Sequence, residues 1–113
     1  MSELPPFIPT RAHLLVCTGP SCRRVGGAEL FANAWQDLET HRLAYYTRGG
    51  SLRLTESGCL GACARGPNVA VYHDADGRLE QAWYIRMDRG ALLRLSRALH
   101  DGAPLPPQNR FDR

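Results

Sequence analysis

The 113-residue chain has no lysine; its 14 basic residues are all arginine, set against 11 acidic ones for a formal net charge of +3. The missing lysine reads as codon bias. The arginines are spread from Arg11 to Arg113 with acidic residues between them, so no dense basic stripe marks a nucleic-acid groove. Long apolar runs are also missing. The longest, around Leu14-Leu15-Val16, falls far short of the roughly 20 residues of a membrane span. Met1-Ser2-Glu3-Leu4-Pro5-Pro6 shows no basic segment followed by an apolar core, so the expectation is a cytoplasmic protein without a secretory signal or a membrane contact. Repeats and low-complexity tracts are absent. What is present, 43% hydrophobic and 22% charged residues, argues against disorder and suits one globular domain.

Proline gathers at the ends. Pro5, Pro6 and Pro9 fall in residues 1–11, and Pro104, Pro106 and Pro107 in residues 102–113. This predicts an extended N-terminal arm and a proline-rich C-terminal tail flanking one domain over residues 12–101. Within it, His13-Leu14-Leu15-Val16 ends at Thr18-Gly19-Pro20, the pattern of a strand buried on both faces. After Gly26-Gly27, the residues Leu30, Phe31, Ala34, Trp35 and Leu38, extended by His41 and Tyr45, recur at three- and four-residue steps. They predict a helix running to about Tyr46 and stopped by Gly49-Gly50, with Trp35 in the core. Leu52 and Leu54 alternate with Arg53 and Thr55, as in a strand with one wet face, and this strand leads directly into Cys59. Val69-Ala70-Val71-Tyr72 and residues 79–86 predict a hairpin about Asp74-Ala75-Asp76-Gly77. Trp83 and Tyr84 on its second strand either pack inside or form an apolar dimer surface, with packing favoured for at least one. Asp88 offers an N-cap, and Leu92, Leu95 and Leu99 line a last helix ending at Gly102. The order βαβ then ββα predicts an α/β fold, a four-stranded mixed sheet with flanking helices in the thioredoxin-like arrangement.

The four cysteines form two tight pairs, Cys17/Cys22 as C-x4-C and Cys59/Cys63 as C-x3-C. In a reducing compartment such pairs point to metal binding or catalysis rather than to disulfides. Each pair follows a predicted strand, and parallel strands of a βαβ unit end on the same edge of their sheet, so four thiols are expected at one loop-built site. Four thiolates suit an iron–sulfur cluster or a zinc ion. Gly19, Gly26, Gly27, Gly58, Gly61 and Gly66 around them favour the cluster, because small residues let backbone N–H groups approach the sulfurs. A [2Fe–2S] centre on four thiolates carries two negative charges when oxidised and three when reduced. Arg23, Arg24 and Arg65 lie beside the cysteines and would offset that charge and offer a basic rim to an acidic partner; a solvated loop face is the alternative. Plant-type ferredoxins read C-x4-C-x2-C, but Val25 stands where their third cysteine belongs, and the bacterial two-cluster run is absent.

Two segments, Val16-Cys17-Thr18-Gly19-Pro20-Ser21-Cys22-Arg23 and Gly58-Cys59-Leu60-Gly61-Ala62-Cys63-Ala64-Arg65-Gly66-Pro67-Asn68-Val69-Ala70-Val71-Tyr72, resemble the thioredoxin-like [2Fe–2S] ferredoxins. The second matches the family pattern G-C-x-G-x-C-x-x-G-P-x-V-x-V-Y position by position, and the resemblance covers roughly residues 12–100. It implies a [2Fe–2S] cluster on Cys17, Cys22, Cys59 and Cys63, one-electron transfer between a reductase and an acceptor protein rather than catalysis, and a homodimer. Some members have a longer first loop; the short one also resembles the iron–sulfur subunit of respiratory NADH dehydrogenase, which has a helical segment before the cluster domain. With about a dozen residues ahead of the first strand, a free-standing ferredoxin is expected. Thioredoxin-like folds commonly place a cis-proline before the third strand, where Pro67 stands.

Rival readings attach to the same residues. Cys17 to Arg23 is C-x5-R between a strand and a helix, similar to the phosphate loop of low-molecular-weight tyrosine phosphatases and arsenate reductases, where the cysteine attacks and the arginine clamps the oxyanion. Pro20 removes an amide that loop needs, and no Asp precedes a proline to serve as general acid. Zinc would make the four cysteines a structural staple. A thiol–disulfide enzyme would use C-x-x-C, which neither pair has. Asp74 and Asp76 fit a turn better than a calcium loop, since Ile85 occupies the position of the closing glutamate. His13, His41, His73 and His100 show no ligand spacing.

Overall fold

The computed structural model describes residues 9–59 and 65–112. Four strands, β1 (Ala12–Cys17), β2 (Leu52–Ser57), β3 (Val69–Ala75) and β4 (Arg78–Tyr84), form one sheet in the order β2-β1-β3-β4. β1 and β2 are parallel, with Ala12 opposite Leu52 and Cys17 opposite Ser57. β3 is antiparallel to both β1 and β4. The four-stranded mixed sheet and the order βαβ then ββα along the chain are those the sequence pattern predicts.

Strand alternation decides what is buried. Ala12, Leu14 and Val16 lie on one face with Leu52, Leu54, Val69, Val71, Ala82 and Tyr84, and these residues join one hydrophobic core. Two helices supply the other half of that core. Leu30, Ala34 and Leu38 come from α2 (Gly27–Thr40), and Leu92, Leu95 and Leu99 from α3 (Arg89–Asp101). Removing each such leucine from water contributes about 2 kcal/mol. Because both long helices contribute to the core on one side, His13 and Leu15 are only half-buried. β1 is therefore buried on one face rather than on both. The other face presents His13, Leu15, Tyr72 and Trp83, half-buried, together with exposed Thr55, Gln81 and Leu79. Burial, and secondarily the charge of Arg53, hold the His13 pKa below its ordinary value.

α2 stops at Thr40 rather than near Tyr46. Arg42 enters the left-handed region at φ 57°, and the Leu43 and Ala44 amides both turn back to the Leu38 carbonyl. Leu43 and Ala44 are thereby buried beside β2, where Tyr45 N–H reaches the Leu52 carbonyl at 2.8 Å. Their apolar character comes from this corner, not from a continued helical stripe. Trp35 is 39% exposed, its ring tilted between those of Phe31 and Tyr46, because the inward stripe is Leu30, Ala34 and Leu38 and position 35 falls at its margin. A short helix, α1 (Pro20–Arg24), occupies what reads as loop sequence.

The remaining signals produce the elements they predict. Asp76 and Gly77 form the two-residue turn of the β3–β4 hairpin, both with positive φ, and Asp74 Oδ1 accepts the Gly77 N–H at 2.9 Å. Asp88 caps α3 through the Ala91 N–H at 2.8 Å, and Gly102 ends it in the left-handed conformation. Asp37 of α2 and Arg89 of α3 form a two-pronged ion pair at 2.7 and 2.9 Å, whose hydrogen bonds hold the Asp37 carboxyl below the usual carboxylate range. Tyr84 is buried and donates to the Pro106 carbonyl at 2.8 Å, while Trp83 meets Phe111 edge-on. The C-terminal segment is fastened along β4: Phe111 N–H bonds the Trp83 carbonyl, and Asp112 accepts the Trp83 N–H at 3.0 Å and pairs with Arg110.

Candidate metal centre

Cys17 is the last residue of β1, at the end where the parallel partner strand finishes with Ser57. The ladder continues one step further on either side: Thr18 N–H donates to the Ser57 carbonyl at 2.9 Å, and Cys17 N–H to the Asn68 carbonyl at 3.0 Å. These bonds draw the loop after β1, the loop after β2 and the approach to β3 to one rim.

Cys22 sits within α1. Pro20 stands at the first position of that helix, where an amide would have no intrahelical partner. The Arg23 amide closes the turn on the Gly19 carbonyl at 2.8 Å. Cys17 and Cys22 are fully buried, and Cys59 is exposed. Close backbone approach ties the pieces together. A Cβ on Gly27 would lie 2.5 Å from the Cys17 carbonyl oxygen and 2.9 Å from that of Cys22. A Cβ on Gly66 would lie 2.6 Å from Cys22 Sγ. Gly19 runs close to Cys59, whose backbone nitrogen would be 3.1 Å from a Cβ there. Cys17, Cys22 and Cys59 thus gather at one end of the sheet, as the βαβ connection requires. Cys63, Gly61 and Ala64 lie outside the described residues. Among the described residues, no three His, Cys, Asp or Glu side chains form a group able to hold a metal ion.

The rim fits an iron–sulfur group. Its donors are soft, and its glycines let sulfur and backbone approach within distances that a side chain would occupy. It also contains a buried amide that the sequence pattern treats as an arbitrary residue. Asn68 is 0% exposed, and neither its Nδ2 nor its Oδ1 has a hydrogen-bond partner among the described residues. The preceding Gly66–Pro67 peptide is cis. Arg23, Arg24 and Arg65 are all exposed, with Val25 54% exposed beside them.

The rival chemistries find less support. Arg23 donates from Nε to the Thr18 carbonyl at 3.4 Å, and Cys17 is fully covered, so the pair does not form an open anion cradle. His13, His41 and His100 bond Thr55, Arg97 and Ser51, away from the cysteines.

A four-stranded mixed sheet with cysteine-bearing loops at the shared end of its parallel strands defines a thioredoxin-like fold. A family profile described as thioredoxin-like [2Fe-2S] ferredoxin matches residues 8–87. The chain belongs to this family, whose cofactor is a [2Fe–2S] cluster. The wild-type thioredoxin-like [2Fe-2S] ferredoxin from Aquifex aeolicus is similar in structure, with a TM-score of 0.72 at 20% identity over 92% of this chain and 99% of that one. A second structure of such a ferredoxin from Aquifex aeolicus gives 0.64 at 25% identity, over 84% and 86%. A cysteine-to-serine variant from the same organism gives 0.70 at 21% identity, over 90% and 99%. No curated protein matches the chain. Among the described residues, no helix is long and apolar enough to cross a membrane.

Proposed function

We propose that the protein is a one-electron carrier whose four cysteines, Cys17, Cys22, Cys59 and Cys63, hold a [2Fe–2S] cluster. The carrying observation is the parallel pairing that sets Cys17 opposite Ser57, so the chain leaves both strands at one rim with Cys22 and Cys59 beside it. When bound, the cluster supplies reversible one-electron chemistry; the chain provides soft ligands, amide dipoles and a shielded seat. Burial of Cys17 and Cys22 keeps solvent from that side, while exposed Cys59 marks the side from which a partner approaches. No substrate has to be bound, so the protein works without catalysis of its own.

Arg23, Arg24 and Arg65 surround that approach and suit an acidic reductase and an acidic acceptor, in a cytoplasmic setting. The sheet face opposite α2 and α3, with Leu15, Tyr72 and Trp83 half-buried, suits a second copy of this chain and supports a homodimer. The test is anaerobic purification followed by iron and sulfide analysis and low-temperature EPR of the reduced protein. A brown sample with two irons and two sulfides per chain, bleached by dithionite, is expected; a colourless zinc protein would replace this reading with a structural staple. Cys59→Ser and Cys63→Ser are expected to lower iron per chain while leaving the circular dichroism of the helices in place. Full iron in both variants removes them from the ligand set.

A further inference from the structure

Asn68 follows the cis Gly66–Pro67 bond and precedes β3. The antiparallel register that pairs Val16 with Val69 continues to it through the Cys17 N–H bond to the Asn68 carbonyl. Directly opposed residues of such a pair share a sheet face with Cβ atoms roughly 5 Å apart. Asn68 therefore stands beside Cys17 on the face that the long helices leave open, and both residues are fully buried. At Gly66, two residues earlier, an added Cβ would meet Cys22 Sγ, so the backbone there runs close to that sulfur. A buried amide with neither donor nor acceptor satisfied is destabilising, and an apolar residue of similar size would relieve that cost. Asn68 thus sits between two cysteine seats, with a donor that nothing among the described residues uses.

We infer that the Asn68 side-chain amide is a positioning and tuning group of the metal centre, donating its N–H to sulfur at the Cys17 seat. The inference rests on the [2Fe–2S] reading above. A donor aimed at sulfur stabilises the more negative, reduced state more than the oxidised one, so Asn68 raises the reduction potential. Oxygen Oδ1 has no such use at a site of negative charge, which assigns the Nδ2 end of the amide to the sulfur.

The test compares wild type with Asn68→Val, purified anaerobically with iron and sulfide counted per chain. Asn68→Val is expected to keep its cluster while its equilibrium constant for reduction falls about tenfold, a shift of about 59 mV to lower potential for one electron. Its metal-free form should melt at a higher temperature than metal-free wild type, because the unpaired amide is gone. An independent measurement uses wild type alone. The chain has three asparagines, Asn33, Asn68 and Asn109. Labelling their side-chain amides with nitrogen-15 should give one hyperfine coupling in pulsed EPR of the reduced protein. A loaded Asn68→Val with unchanged potential overturns the role of Asn68 and leaves the ferredoxin reading standing, and so does a loaded wild type without an asparagine coupling, even if the variant fails to fold. A wild-type chain that assembles no cluster overturns both.

Discussion

The cysteine rim and the C-terminal strap along β4 lie on different margins of one sheet and are built on opposite rules. In the strap, polar groups find partners inside the chain. Asp112 takes the Trp83 amide and the Arg110 guanidinium, Tyr84 reaches Pro106, and Phe111 N–H closes on Trp83. At the rim the chain brings glycines, buried sulfur and the unpartnered Asn68 amide together. Hydrogen bonding within the chain completes the strap, whereas the rim places groups whose chemistry is directed at something else.

Substitutions that separate the two regions sharpen this contrast. The largest effect is expected from Gly66→Val, whose Cβ would fall 2.6 Å from Cys22 Sγ and force the sulfur aside. Iron per chain should fall to near zero while far-ultraviolet dichroism shows the sheet and helices retained; normal iron content would separate Gly66 from the rim. Next comes Asp112→Ala, which strips the strap of a charge-assisted bond pair and should cost about 1–2 kcal/mol in urea unfolding with iron loading unchanged. A loss of iron there would show the regions to be coupled.

A smaller effect follows pH. The Arg110 hydrogen bonds lower the Asp112 pKa from its ordinary 3.8 to about 2. The unfolded chain then binds the proton more readily, so the stabilisation is fully present above about pH 4 and is lost as pH falls toward 2. Acid titration of the metal-free protein should show wild type losing stability across that window and Asp112→Asn losing less; identical curves would deny the pairing. Least of all should Gly58→Ala matter. Among the described residues other than its chain neighbours, no atom lies within 4 Å of a Cβ placed there, so iron content and melting temperature are expected to match wild type although the residue adjoins Cys59.

Much of this architecture was legible in the amino-acid order, for physical reasons that differ from element to element. Alternating Leu52 and Leu54, the Asp76-Gly77 turn and the Asp88 cap each act locally, so their signals survive into the fold. Cys17, Cys22 and Cys59 were traceable to one rim because parallel strands share an end, while Cys63 lies outside the described residues. The close of α2 was not legible. His41 and Tyr45 have helical spacing, but Leu43 and Ala44 gain more by turning onto β2 than by continuing the helix. Trp35 misled through its size, since a large ring at the margin of a stripe can lie tilted against Phe31 and Tyr46 without entering the core. Asn68 carried no signal at all, because its significance comes from lying opposite Cys17 in a register that only the paired strands define.

The strap has a consequence for how this molecule avoids its own kind. Residues 109–112 occupy the outer hydrogen-bonding row of β4 near Trp83 and Tyr84, and residues 43–45 take up the start of β2 at the opposite border. A stray strand, whether from a neighbour or from a nascent chain, meets backbone groups already spoken for at both places. Edge-to-edge growth of the sheet is thereby blocked at both places.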